Sequence, residues 1–212
     1  MSDTKENIML TALRLFARDG YEAVSVSAIA GELGLTKGAL YKHYKNKRDI
    51  FDTIVVRMYQ IDAERAKKHE VPEETFDQGP SAYRNISVEK IKDFTLAQFR
   101  FWTGDEFARD FRKMLTLEQY RDPEMADLYQ KCFTGGPVSY MEDLFREMMA
   151  QGLWIESCPR RLALEFFAPF YLLLSISDAP SNSEEAADLL TVQVESFIKK
   201  NAAKQRSAKD RR

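Results

Sequence analysis

Between Ser25 and Arg48 the segment SVSAIAGELGLTKGALYKHYKNKR gathers the side chains best suited to bind a polyanion. From Thr36 to Arg48 it carries five basic residues, Lys37, Lys42, Lys45, Lys47 and Arg48, and no acidic one, with Tyr41, His43 and Tyr44 interleaved as hydrogen-bonding or stacking groups. Such a mixture suits phosphate oxygens, which supply the sequence-independent and salt-dependent share of nucleic-acid affinity. The small residues Gly38 and Ala39 would let a backbone approach base edges, which carry sequence preference. By polarity, Thr36, Tyr41, Lys42, His43, Lys45 and Lys47 are expected at phosphates. Val26, Ser27, Lys37, Gly38 and Ala39 are better placed for base edges, and Ser25 completes the candidate set. Charge alone would equally describe a solvated basic face on an ordinary helix pair.

The elements that must position these groups are also written into the segment. Ser25 is a good N-cap, and Val26, Ile29, Ala30 and Leu33 follow at i, i+3, i+4 and i+7, one apolar face of a short helix. Gly34 ends that helix, because glycine enters the left-handed conformation without a Cβ penalty. Thr36 caps the next helix, and Leu35 with Leu40 has the spacing of a hydrophobic staple that fixes the angle between the two. Two short helices joined by a glycine-containing turn form a helix-turn-helix, whose second helix enters the major groove. A preceding helix from about Thr4 to Arg18, with Ile8, Ala12, Leu15 and Phe16 in a stripe, should back the pair; Val24, Ile29, Leu33, Leu40 and Tyr44 would share its core. Asn46 and Asp49 then cap a long fourth helix reaching about Lys68.

AIAGELGLTKGALYKHYKNKRDIF closely resembles the DNA-binding domain of the tetracycline-repressor (TetR) family. There, too, a helix ending in glycine is followed by a Thr/Ser-Lys-Gly start, a Leu-Tyr pair, a His-aromatic pair and a lysine opening the next helix. The resemblance covers roughly residues 5–55, about a quarter of the chain. It implies a homodimeric regulator, a ligand-inducible repressor on a palindromic double-stranded operator, with a small amphipathic or aromatic effector and no cofactor. Two other readings stand beside it: a helical protein-binding adaptor, and a TetR-like activator without a small-molecule effector. Ala39 departs from the family, where a larger or polar base-contacting residue often stands, so readout there is limited to a methyl contact.

The 212 residues carry a net charge of −2, with 44% hydrophobic and 30% charged residues. The balance is uneven: residues 1–48 hold eight basic and five acidic side chains, +3, which leaves −5 for the remainder. A basic head on an acidic body suits a protein that meets nucleic acid at one end. No apolar run approaches the about eighteen residues of a membrane span, and the N-terminal MSDTKENI lacks a signal core, so a cytoplasmic location away from membranes is expected. Cys132 and Cys158 have no CxxC partner and are expected reduced.

The residues 69–84, with Pro72, Gly79 and Pro80, read as a loop. Beyond it helices are expected at about 87–103, 105–120, 123–133, 138–151, 159–177 and 183–203, with Gly135-Gly136-Pro137 as punctuation. No strand-like alternation occurs, and the expected fold is all-α. It comprises an N-terminal three-helix helix-turn-helix domain over 1–48, a larger helical effector-binding and dimerisation domain over 49–205, and a basic disordered tail over 206–212. Leu162–Ile176 is apolar nearly all round and must be covered on two sides. Paired with the last helix it would form a four-helix dimer interface, as the resemblance also implies, through Leu162, Phe166, Leu173, Leu190, Val194 and Phe197.

The middle helices are rich in aromatic and methionine residues. By the resemblance they enclose an effector cavity, for which Phe94, Gln98, Phe101, Trp102, Met114, Glu118, Tyr140, Phe145 and Phe170 are candidate lining residues. The alternative for each aromatic is an ordinary core position. Catalytic and metal sites are not expected: His69, Glu70, Glu73 and Glu74 would need a helix that Pro72 breaks, and no phosphate loop or nucleophile elbow occurs.

Overall fold

Helix α1, Thr4–Asp19, buries Ile8, Ala12, Leu15 and Phe16 along the stripe read from the sequence, and the chain leaves it through Gly20 at φ 88°. The computed structural model describes residues 4–72, 83, 87–179 and 183–203. Within them follow α2 (Val26–Glu32), α3 (Lys37–Leu40), α4 (Lys47–Lys68), α5 (Val88–Gly104), α6 (Glu106–Glu118), α7 (Pro123–Phe133), α8 (Gly135–Ala150), α9 (Pro159–Ile176) and α10 (Ser183–Asn201). Among the described residues the one β-type pairing is a single bridge between Trp154 and Ala202, so the architecture is all-α. None of the described helices is long and apolar enough to cross a membrane.

Side-chain caps explain most helix starts. Asp105 accepts from Ala108 N–H at 2.9 Å to open α6, Ser87 from Lys90 N–H at 3.2 Å to open α5, and Asp122 from Glu124 and Met125 N–H at 2.8 and 3.0 Å to open α7. Each satisfies donors that a helix N-terminus leaves without an intrahelical acceptor. Gly135-Gly136-Pro137 does not separate helices as expected. It forms the first turn of α8, where proline costs no hydrogen bond because the missing N–H would have had no partner, and Thr134 alone divides α8 from α7.

By contact the chain divides into two compact units, residues 1–65 with 100–132 and residues 66–99 with 133–212. In the first, α1 packs along α6 and against α2, and α2 packs against α3. Its core includes Leu13, Ile29, Leu40, Ile50, Phe111 and Leu115, all fully or almost fully buried. Grouping α6 and α7 with the helix-turn-helix was not visible from residue 48 alone, since it rests on contacts between residues some seventy to a hundred positions apart, described below.

In the second unit α9 packs between α8 and α10. Trp154 stacks on Phe145 at 4.7 Å, and Phe166 meets Phe197 at 5.0 Å, with Phe145–Phe166 and Trp154–Phe197 at 5.5 and 5.4 Å closing the cluster. Paired hydrogen bonds, Ile155 N–H to Asn201 O at 3.0 Å and Ala203 N–H to Leu153 O at 2.9 Å, tie the end of α10 to the segment after α8. Tyr83, assigned to a loop by its neighbours in sequence, is buried against Tyr140, and burial pushes its phenol up to about 12. Glu73 and Glu74 and the basic tail lie outside the described residues.

Candidate nucleic-acid interface

The basic segment is held by three local devices. Ser25 Oγ accepts from Ala28 N–H at 3.1 Å, and Thr36 Oγ1 accepts from Ala39 N–H at 3.1 Å, so both expected caps are made. Between them Leu35 N–H reaches Ala30 O at 2.9 Å and Gly34 N–H reaches Gly31 O at 3.1 Å, with Gly34 at φ 65°. These two bonds are the Schellman closure of α2, and they require the left-handed residue at Gly34. Asn46 Oδ1 then accepts from Asp49 N–H at 2.8 Å, while Asp49 Oδ2 accepts from Lys45 N–H at 2.8 Å, a reciprocal cap on α4.

Helix α3 is a single turn. Its hydrogen bonding continues beyond Leu40 only as Tyr41 N–H to Lys37 O, Lys42 N–H to Ala39 O and His43 and Tyr44 N–H to Leu40 O. Tyr44 is buried, and its hydroxyl donates to Lys5 O at 3.1 Å, anchoring the end of the segment to α1. Around this scaffold Ser25, Ser27, Thr36, Lys37, Gly38, Tyr41, Lys42 and Lys45 are exposed, while Ala39, His43 and Lys47 are half-buried. Lys37 Nζ lies 5.8 Å from the Tyr41 ring centroid, presenting cation and aromatic face together. The expected residues are thus gathered in one continuous stretch of the head.

Two of them differ from expectation. Val26 is only 9% exposed and belongs to the core under α2, so it does not present its side chain to a base edge; its periodic position opposite the exposed Ser27 already carried that signal. Lys47 is engaged: its ammonium donates to Tyr21 O at 2.8 Å and Glu22 O at 3.4 Å and lies 4.2 Å from the Tyr21 ring centroid. Arg48, part of the basic rim in sequence, pairs with Asp52 and, bidentately, with Glu124 of α7; these hydrogen bonds hold its guanidinium proton more tightly than usual.

The turn between α1 and α2 is gripped from its other side by Glu118. This carboxylate is completely buried, and its Oε1 accepts from Tyr21 N–H at 2.9 Å and from Arg121 at 3.3 Å. Glu118 had been placed among effector-lining residues; the bond to a residue 97 positions away gives it a different task, and no local pattern could signal it. Phe101, Trp102 and Met114 of that set are also in the first unit, where Arg65 lies 4.1 Å over the Phe101 ring. Phe94, Gln98, Tyr140, Phe145 and Phe170 are in the second. There Phe94 meets His69 at 5.7 Å, Tyr140 donates to Pro72 O at 3.2 Å, Phe170 meets Phe99 at 5.6 Å and Phe145 joins the Trp154 cluster. A groove of about 330 Å³ that the sequence did not indicate lies between α4 and α7, floored by Phe51, Val55 and Leu128 and rimmed by Arg48, Asp52, Glu124 and Lys131.

The six side chains expected at a dimer interface, Leu162, Phe166, Leu173, Leu190, Val194 and Phe197, are buried within the protomer. The same two helices expose a different set: Leu164, Leu172 and Ile176 on α9, and Leu189 and Val192 on α10, with Leu172 and Val192 at 60% and 65%. Apolar periodicity on both sides of α9 gave no means of telling the side facing its own core from the other.

Comparison with known proteins gives a consistent result. Residues 8–54 match the profile of the family described as bacterial regulatory proteins, tetR family. The chain is 42% identical to the HTH-type transcriptional regulator AcrR of Shigella flexneri over 52 residues, 24% of each chain. The curated relatives are matched over 16% to 34% of their length. In structure the chain is similar to SmeT in complex with triclosan, TM-score 0.68 at 18% identity over 94% of this chain and 91% of that one. It is also similar to a Saccharomonospora viridis protein described as a transcriptional regulator and solved with choline, TM-score 0.62 at 20% identity, covering 97% and 100%. These structural likenesses show a shared fold.

Proposed function

We propose, from the premise that residues 8–54 belong to the tetR family of bacterial regulatory proteins, that this chain is a cytoplasmic transcriptional repressor that binds a palindromic operator as a homodimer and is released by a small effector. The observation that carries the reading is the capped turn Thr36–Tyr44, whose exposed Lys37, Gly38, Tyr41 and Lys42 stand on a buried scaffold of Leu40 and Tyr44. Exposed small and basic residues on the first turn of a helix entering the major groove are arranged for base and phosphate contact together.

A second copy is needed because the exposed apolar residues of α9 and α10 form a face that a monomer would leave in water. Two recognition elements would then meet successive major grooves, with half-site centres roughly 34–36 Å apart or a small multiple of that. The effector is an amphipathic or aromatic small molecule, a reading supported by the triclosan and choline bound to the two structural relatives. Helix α4 starts with Lys47 beside the reading segment, so a ligand that favours one position of α4 also favours one position of that segment. Ligand can weaken DNA binding only through its differential affinity for the two states, and a 100-fold weakening needs about 2.7 kcal/mol of coupling.

Light scattering with footprinting on upstream or selected duplexes tests the reading. A dimer protecting a palindrome supports it. A monomer at micromolar concentration without any footprint overturns it in favour of a protein-binding adaptor. For any ligand found by thermal-shift screening, titration with and without operator must show equal and opposite weakening; equal affinity in both would mean that the ligand is no inducer.

A further inference from the structure

We infer that Glu118 is a positioning residue for DNA reading: it sets the placement of the helix-turn-helix on α6 by holding the backbone of Tyr21. The inference rests on the regulator reading above and concerns residues of one unit only.

Tyr21 is held at both ends of its backbone by opposite charges. Its N–H donates 2.9 Å to the Glu118 carboxylate, and its carbonyl accepts at 2.8 Å from the Lys47 ammonium. Lys47 is the first residue of α4, and Glu118 the last of α6. One residue therefore ties the turn before α2 to the start of α4 on one side and to the end of α6 on the other. The ring is fixed as well, edge-on to Phe16 at 5.0 Å and to Phe51 at 5.4 Å.

The neighbouring glycine shows how closely the carboxylate is seated. A Cβ on Gly20 would stand 2.7 Å from Glu118 Oε1 and 3.0 Å from the Arg121 guanidinium, so the turn accepts no side chain there while Glu118 is in place. Gly20 also lies at φ 88°, where an L-residue is strained. Burial argues in the same direction. Glu118 is completely buried and its Oε2 makes no hydrogen bond among the described residues, so the carboxylate is desolvated with incomplete compensation. A buried acid of this kind is poor value as a source of stability, and an apolar residue of similar volume would pack α6 against α1 without the desolvation cost. What an apolar residue cannot do is accept a hydrogen bond from Tyr21 and so fix the direction of the turn.

The test compares Glu118→Gln, Glu118→Ala and Gly20→Ala in the full-length protein, reading operator affinity, affinity for unrelated duplex, melting temperature and amide exchange at Tyr21. Glutamine keeps an acceptor oxygen, so operator affinity within about threefold of wild type and a protected Tyr21 amide are expected. Alanine leaves the N–H without its acceptor: the Tyr21 amide should exchange faster, operator affinity should fall at least tenfold, and affinity for unrelated duplex should change less than threefold, because phosphate contacts need less exact placement. Gly20→Ala should reproduce that loss of discrimination while the carboxylate itself is unchanged. A folded Glu118→Ala protein with wild-type discrimination, measured well below its melting temperature, would overturn the inference; so would a Glu118→Gln protein as impaired as alanine. If Glu118→Ala does not fold, the Gly20→Ala variant decides by the same criteria. Failure of the wild type to bind any duplex would instead remove the regulator reading.

Discussion

Replacing Gly38 by alanine should make the protein more stable and a worse DNA binder. Gly38 sits in the first turn of α3, and an added Cβ would meet only Thr36 Oγ1, at 4.0 Å, an ordinary van der Waals contact. With no clash and no left-handed backbone to strain, the folded state loses nothing, while the unfolded chain loses the extra freedom of glycine. Alanine for glycine at a helical position is favourable by about 0.5–1 kcal/mol. For a protein of this size that raises the melting temperature by roughly 1–4 °C, the lower part of the range applying near a helix end. The same methyl stands on the exposed face where the backbone is to approach a base edge. Loss of one base contact in each head costs about 1–3 kcal/mol, roughly 5- to 150-fold in operator affinity. Calorimetric melts and fluorescence anisotropy on one operator over a salt series measure both quantities. The salt slope should stay constant, since no phosphate contact is touched. Raised stability with unchanged affinity would refute the close approach at Gly38, and lowered stability would refute the geometry of the turn.

Other substitutions separate the remaining roles. Lys47→Ala removes the grip on the Tyr21 carbonyl and should cost about 1–3 kcal/mol of stability by calorimetry; if Lys47 also meets phosphate, the salt slope of DNA binding falls by about one, whereas an unchanged slope assigns it to the turn alone. Lys37→Ala should relax preference at one operator position by about 1–3 kcal/mol in a binding-site selection, with little change in melting temperature. Leu172→Asp or Val192→Asp should yield folded monomers in light scattering, since both side chains are exposed in the protomer, while Leu190→Asp should unfold the chain by burying an unpaired charge. Burial pushes the Cys132 thiol up to about 12, so almost none is thiolate at pH 8, and raising the pH converts it only near that value; alkylation of the native protein should label the exposed Cys158 and reach Cys132 only on unfolding.

Much of the head was legible because its determinants are local. Ser25, Thr36 and Asn46 each accept from an N–H three residues on, and Gly34 closes α2 with bonds inside a six-residue window, so type and spacing suffice. The signals that failed depend on partners distant in sequence. Nothing around Glu118 announces Tyr21, and nothing around Arg48 announces Glu124 in place of a phosphate. On α9 the periodicity correctly marked two apolar sides, but Leu162, Phe166 and Leu173 differ from Leu164, Leu172 and Ile176 only in what the rest of the fold puts against them. Gly135-Gly136-Pro137 misled for another reason: the same residues that end a helix are tolerated in the first turn of one, and only the position of Thr134 distinguishes the two.

The interleaving of exposed and buried positions along α2 and α3 has a consequence for how such a protein changes over generations. Ser27, Lys37, Gly38, Tyr41 and Lys42 face outward, and the neighbours that hold the head together, Val26, Ile29, Leu40 and Tyr44, face inward. Surface substitutions away from caps and buried networks typically shift stability by no more than about 0.5 kcal/mol, and effects at positions without shared partners add. The outward set can therefore be exchanged residue by residue, each step altering which operator is preferred while the turn, its caps and the buried side chains stay as they are. A duplicated copy could drift to a new target through intermediates that all fold, with Thr36 as the exposed position least free to vary, because its hydroxyl also caps the turn that presents the others.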